Sequence, residues 1–405
     1  MKPSDISLWR MSTAMAASGL GITLMKIALP TLTGTIGYSA TVIGLVTGAI
    51  TIAWPLFGLV AGWSLDRFGR IAGYRAGTLA AGLAAFTFLI FTETVEQQIA
   101  LLCILGLLVG LGEVLTETSG QTIVPDLVDK HSLHLGNSML QGAKMVAATL
   151  LAPFLIAQLL APSPSGVFLL AAAAITVSFF ALPKPARNTQ SAQRGVQGFF
   201  DGARFLLRSP VHRRITMLLM AMSVSWGAWM TLIIPYALSE AHLNIGVPGI
   251  GYVMTAMGCG SLIGAIFYQP LRTRLGDFKV RALDPIATLI FIIVPAVGFG
   301  LEAVLLSALV AGVGGVTWSI SIAAFQQETV PPALLGRTVA AYRWIGWTGF
   351  FAGSSVSGLC ADISGLQTAF FLFAAPAVLA LVTYLFTGFT TLPVQDPGAP
   401  SEIAD

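Results

Sequence analysis

The sequence predicts an all-α membrane protein: twelve transmembrane helices arranged as two pseudo-symmetric six-helix bundles. Composition is the first reason. Of 405 residues, 55% are hydrophobic and only 10% are charged, and the mean hydropathy is +0.82. A soluble domain carries about 25% charged residues. The second reason is that apolar runs recur at lengths near the ~20 residues a helix needs to cross a bilayer. The third is a sequence repeat at half the chain length.

The elements follow in order. Span one, 11–33, is apolar except for Lys26. No small-residue cleavage site with a polar mature domain follows it, so it is expected to stay in the membrane. Span two, 42–63, runs into the basic segment that holds Arg67, Arg70 and Arg75. Spans three and four, 76–92 and 98–117, flank a short connection with no Lys or Arg. Span five, 138–160, begins beside Asn137 and carries Gln141 and Lys144; span six is 166–182. The polar stretch 183-PKPARNTQSAQRG-195 reads as a linker. Beyond it Val196, Phe199, Phe200, Ala203 and Phe205–Leu207 oppose Arg204 and Arg208, which predicts a short helix on the inner membrane surface. Spans seven to twelve are 215–238, 249–271, 283–301, 303–324, 339–360 and 367–389. The domains are therefore 1–182 (first bundle), 183–214 (cytoplasmic linker with its helix), 215–390 (second bundle) and 391–405 (a disordered cytoplasmic tail). The 43 glycines suit close helix packing in lipid.

The basic residues orient the layout. Three of the 21, Lys26, Lys144 and Arg343, fall inside spans. The rest lie in or beside the segments that share a side with the N-terminus, and the six outer connections have none. The positive-inside rule then places both termini in the cytoplasm. The repeat agrees. 25-MKIALP-30 matches 230-MTLIIP-235, Gly69 matches Gly276, and 121-QTIVPDLV-128 matches 327-QETVPPAL-334, at offsets of 205 to 207. Six spans per unit give halves of equal orientation, with a substrate site expected at their interface near mid-membrane.

The loop after span two, 62-GWSLDRFGR-70, resembles the signature of the major facilitator superfamily, roughly G-x-x-x-D-R-x-G-R-K. Gly62, Asp66, Arg67, Gly69 and Arg70 match; Ile71 departs from the final basic position. The resemblance implies a cytoplasmic latch in which Asp66 caps span eleven, near Arg337–Ala340, and Arg70 meets Glu117 on span four. An anion at a helix N-terminus is favoured by the helix dipole. Arg343 is expected to belong to the same latch. The segments 112-GEVLTETSGQTIVPDLV-128, 137-NSMLQGAKMVAATLLAP-153, 198-GFFDGARFLLRSPVHRRI-215 and 325-FQQETVPPALLGRTVAAYR-343 resemble the bacterial group of the enterobactin exporter and macrolide-efflux pumps. That resemblance implies proton-driven export of amphipathic small molecules. Ile22 stands where members often carry an acid, and the antiporter pattern of span five is reduced to Ala152-Pro153 and Ala157.

A charge at mid-membrane costs about 2.5–3.5 kcal/mol on insertion scales, so each needs a partner or a task. Glu113 and Lys144 are expected at similar depth on antiparallel helices, roughly 8–11 Å from the cytoplasmic surface at 1.5 Å per residue. Their pairing reads either as structural or as a proton site. Asp284 before Pro285 has the form of a helix start, with proton transfer as the other reading. Lys26 has three readings: it snorkels outward, pairs with an acid or a helix end, or binds an anionic substrate group. Asn137 and Gln141 either contact substrate or bridge helices. Trp229 and Tyr236, seven apart on one face, either line a cavity for flat ligands or serve packing.

The same inventory narrows the function classes. Cys103, Cys259 and Cys360 have the spacing of neither a metal site nor a disulfide framework. His131, His134, His212 and His242 all lie outside the spans. No nucleotide loop, cofactor site, catalytic constellation or nucleic-acid partner is expected. The expectation is a monomeric secondary transporter, not an enzyme, that exports a small amphipathic compound, anionic on one reading of Lys26, against protons. An uptake symporter on the same fold and a non-transporting receptor or scaffold stay open.

Overall fold

The computed structural model describes residues 3–127, 133–183, 197–332 and 334–387, and every regular element among them is helical. Span one is α1 (Pro3–Thr35). Span two is interrupted at Ile52 into α2 (Ala40–Thr51) and α3 (Ala53–Phe68). Pro55 is the cause, since it has no N–H for the Thr51 carbonyl and its ring crowds that carbonyl. Span three is α4 (Arg70–Ile90), and the short α5 (Thr92–Gln97) leads to span four, α6 (Ile99–Thr122), and to α7 (Val124–Leu127). Span five is α8 (Leu133–Met145), a π-helical turn at Val146–Leu151, and α9 (Ala152–Leu159). Pro153 withholds a donor from that turn, and the ladder widens around the gap. Span six, α10 (Pro164–Ala181), opens with the Ser163 side chain accepting from the Gly166 N–H at 3.1 Å.

In the second half, α11 (Gln197–Arg208) precedes span seven, α12 (Pro210–Leu238). Spans eight and nine form α13 (Gly246–Val297), broken at Gly276; α14 (Leu301–Thr329), α15 (Leu335–Ser364) and α16 (Leu366–Thr387) are spans ten to twelve. Ten described helices are long and apolar enough to cross a membrane. One of them, α13, provides two spans, and α15 adds the twelfth, its apolarity diluted by arginines, serines and glycines. Gly69 and Gly276 occupy equivalent turns with φ of 92° and 78°. A side chain is strained there, so the repeated glycine has a backbone reason.

Each half has its own core. In the first, α1 packs on α8 and α10, and α6 on α2 and α4, around Leu24, Met25, Phe88 and Phe168. In the second, α12 packs on α15 and α16, and α13 on α14 and α16, around Trp229, Ile233, Phe291 and Phe370. The connections holding Arg67, Arg70, Arg272, Arg274 and Arg337 define a basic face; the opposite connections hold no Lys or Arg.

Two expectations are corrected at this level. Helix α11 docks on α12 and α15 with Leu206 buried, so part of its apolar stripe meets protein and not the membrane surface; Phe200 and Leu207 stay exposed. Asp284 does not start a helix. The chain is already helical from just beyond Gly276, which leaves Asp284 two turns inside span nine and buried. The linker 184–196, the tail 388–405 and the side chains of Gly62 and Asp66 lie outside the described residues.

Candidate functional site

From mid-bundle to the face opposite the basic one, the halves touch backbone to backbone. A Cβ at Gly358 of α15 would overlap the Ala40 carbonyl of α2, and one at Gly258 of α13 would overlap the Thr149 carbonyl of the π turn. Asp362, at the end of α15, closes this seam. Its carboxylate accepts the N–H groups of Ala40 (3.1 Å) and Thr41 (2.9 Å) and the Thr41 hydroxyl (2.5 Å), all at the free N-terminus of α2. Burial alone would push the Asp362 carboxyl up. The bonds from Thr41, Ser39 and Ala40 outweigh it and hold the group below the usual carboxylate range. Sequence reasoning missed this latch. Its signal was an acid two residues beyond span eleven, in a connection otherwise free of charge.

Toward the basic face the halves part around a cavity of ≈ 820 Å³, within the range of small-molecule sites. Its wall runs from Trp226, Met257 and Asp284 to Gln121, Gln326 and Val339 near the basic-face ends of their helices. The second half supplies most of it; Gln121, Met145 and Thr149 come from the first. Asp284 and Arg343 are the charged residues among those lining it.

Beside the cavity two ion pairs stack along α6. Glu113 and Glu117 are four residues apart and so share a helix face. Lys26 of α1 donates to Glu113 at 2.6 Å, and Lys144 of α8 pairs with Glu117. The expected Glu113–Lys144 pair is thus exchanged by one turn: α1 brings Lys26 to the deeper acid, and Lys144 takes Glu117, which was expected to meet Arg70. Of the three readings of Lys26, the structure holds the ion pair. The Trp54 indole N–H reaches the second Glu113 oxygen at 3.4 Å, and its ring stacks on Trp347 of the other half, 5.0 Å between centroids and 2° from parallel. Lys26 lies 5.7 Å from the Trp347 ring.

The lower pair reaches across the halves in the same way. Gln121 donates to Glu117 at 2.6 Å, and Arg343 of α15 donates to Gln121 at 2.6 Å with its guanidinium 5.0 Å from the Trp54 ring. Arg343, expected in the surface latch, therefore lines the cavity. Trp344 adds an N–H bond to the Pro55 carbonyl at 2.9 Å, a further contact between the halves.

The other candidates separate. Asn137 is exposed and Gln141 half-buried on α8, at the basic-face end of span five. Trp229 and Tyr236 are packed inside the second core and do not line the cavity. Trp229 stacks on Phe291 at 3.8 Å, and Tyr236 lies between His242 and Phe370. They do share one helix face, but that face points at α13 and α16. The aromatic groups at the cavity are Trp226, Trp318, Tyr342, Trp347 and Phe350. Of the motif residues, Arg67 is exposed beside the Phe68 ring (5.5 Å) and Arg70 opens α4 half-buried.

Comparison with known proteins places this architecture. No curated protein sequence matches the chain. The solved structures of similar fold include the nucleoside transporter NupG, with 15% identity and a TM-score of 0.74 over 96% of this chain and 100% of that one. A bacterial homologue of the iron transporter ferroportin in an inward-facing state has 17% identity and a TM-score of 0.73, over 95% and 99% of the two chains. A POT family transporter in complex with a thioalcohol-conjugated peptide has 12% identity and a TM-score of 0.72, over 94% and 95%. At these identities the likeness speaks for the fold. A family model described as Major Facilitator Superfamily matches residues 11–346, and the twelve-span chain with its central cavity belongs to that superfamily.

Proposed function

We propose that the protein is a proton-coupled exporter of small amphipathic compounds, such as a drug, natural product or siderophore, working by alternating access as a monomer in a bacterial inner membrane with both termini cytoplasmic. One observation carries the reading. The Glu113 carboxylate is tied at once to Lys26, to Trp54 and, through the Trp54–Trp347 stack, to the other half. A proton on Glu113 removes the charge that holds Lys26 and weakens the acceptor that holds Trp54. Proton occupancy and the contact between the halves are thereby linked through one group. Lys144, Glu117, Gln121 and Arg343 extend the link toward the basic face. The cavity volume and its apolar, methionine-rich wall suit an amphipathic molecule.

Everted membrane vesicles test the direction and the coupling together. With the lumen acidified by respiration and followed by a pH-sensitive dye, a compound exported by the protein enters the vesicles and releases lumenal protons. Glu113→Gln is expected to bind the compound but abolish both proton release and accumulation. Accumulation unchanged in Glu113→Gln, with an unchanged pH profile, removes Glu113 from the coupling. Uptake driven by the opposite gradient replaces the exporter with a symporter.

A further inference from the structure

The ion pairs along α6 balance one another, which leaves Asp284 as the acid in the cavity wall with no opposite charge bound to it among the described residues. Among the described contacts it has one long hydrogen bond, from the Thr288 hydroxyl at 3.5 Å, and that hydroxyl accepts the Trp226 indole N–H at 3.0 Å. The side chain is 95% buried by residue area, at 5% exposure. The other charged lining residue, Arg343, is turned to Gln121 and Trp54 of the first half. A carboxylate withdrawn from water in a membrane span is costly unless it meets a counter-charge.

The surroundings leave room for one. Across from Asp284, α14 carries the pair Gly314-Gly315. Gly314 lets the two helices close, since a Cβ there would stand 2.7 Å from the Ala287 Cβ and 2.9 Å from the Asp284 Cα. Gly315 lines the cavity, and a Cβ there would stand 4.0 Å from the Asp284 Oδ1 and 3.7 Å from the Trp226 ring. Glycine at this second position keeps the space between carboxylate and indole clear on that side. Trp318 and Tyr342, joined by an indole N–H to hydroxyl bond of 2.9 Å, and Met222 continue the wall. Aromatic faces attract cations through their ring quadrupole, by about 0.5–2 kcal/mol.

We infer that Asp284 is the charge-selecting group of this cavity and that the site takes amphipathic organic cations, the positive centre lying between the Asp284 carboxylate and the Trp226 indole. The inference deepens the transport reading by naming its substrate class, and it replaces the anionic substrate expected from Lys26, whose charge is spent on Glu113.

Three probes of one shape class decide it: tetraphenylphosphonium, tetraphenylborate and neutral triphenylphosphine oxide. Binding is measured by equilibrium dialysis on the full-length protein in detergent. The Gly315→Leu variant, which fills the space while keeping the charge, sets the baseline for partitioning into micelles. The wild type is expected to bind tetraphenylphosphonium about tenfold or more tightly than either other probe. Asp284→Asn is expected to lose that preference while still binding the neutral oxide, and Asp284→Glu to keep it. Unchanged phosphonium binding in Asp284→Asn overturns the inference. So does a wild type that binds the borate as tightly, or that binds none of the three above the baseline. The transport reading fails separately: cation binding without gradient-driven flux of any compound removes transport and leaves the site.

Discussion

Replacing Lys26 with Met should destabilise the folded protein, and replacing Glu113 with Gln at the same time should restore much of the loss. Lys26→Met keeps the length of the side chain and removes the cation 2.6 Å from Glu113. Breaking a fully buried ion pair by deleting one partner costs about 3–5 kcal/mol, because the other charge stays behind. Here the side chains retain 25% and 20% exposure, so water at the cavity wall recovers part of that penalty. About 2–3 kcal/mol is the working figure. At ~2.1 cal/mol/K per residue the unfolding entropy is on the order of 0.85 kcal/mol/K for this length, so Tm falls by ~2–4 °C. The double variant Lys26→Met, Glu113→Gln carries no stranded charge, and the Gln carbonyl can still accept from Trp54. The coupling between the two sites should be about 1.5–3 kcal/mol. Thermal unfolding followed by tryptophan fluorescence, over the four proteins of the cycle, measures it. Effects that add to within ~0.5 kcal/mol would refute the claim that the pair acts as a unit.

The Asp362 latch and the glycine seam make three further predictions. Asp362→Asn removes the anion from the N-terminus of α2, worth about 0.3–1 kcal/mol, and should shift the population with this seam closed about two- to fivefold toward the open one. Spin labels at Ile36 and Ser364 report that as a longer distance. The pH dependence has a definite sign. A carboxyl held below its ordinary value contributes fully above that value, ~3.9 for Asp, and loses its contribution only as pH falls through the lowered one. The wild-type distance should therefore stay constant from about pH 8 to pH 5 as far as Asp362 governs it, and a seam whose pH 8–5 opening vanishes in Asp362→Asn would contradict this. Gly358→Ala places a methyl against the Ala40 carbonyl and should open the seam at a cost of about 1–3 kcal/mol, read by the same label pair as a major open fraction. An unchanged distance distribution would mean that α2 and α15 can yield locally.

Much of the architecture was legible in the sequence because its signals are one-dimensional. Span number follows from apolar length, and the half-chain repeat from a constant offset. Gly69 and Gly276 show why such a match is physical, since both adopt a backbone that other residues avoid. The charges were legible only in part. Depth along a helix places Glu113 and Lys144 at one level with Glu117 a turn away, but it did not bring Lys26 to them, and rotation about each helix axis decides who meets whom. Trp229 and Tyr236 fail for the same reason: a shared face is visible at a spacing of seven, while what the face meets is tertiary. Asp284 misled by a local rule. Asp-Pro is a good helix start, but the turn at Gly276 had already begun the helix.

The glycine seam also sets how the two halves come apart. In lipid the helices gain nothing from expelling water, so contact here rests on dispersion, on the Asp362 cap and on a few side-chain bonds such as Thr51–Ser354 and Gln158–Tyr252. Dispersion is short-ranged: a gap of about 0.5–1 Å already forfeits a quarter to a half of each contact. Half-open arrangements therefore have little to hold them, and the protein should dwell at either end of its motion and cross between them abruptly, in the manner of a snap fastener and not a sliding door.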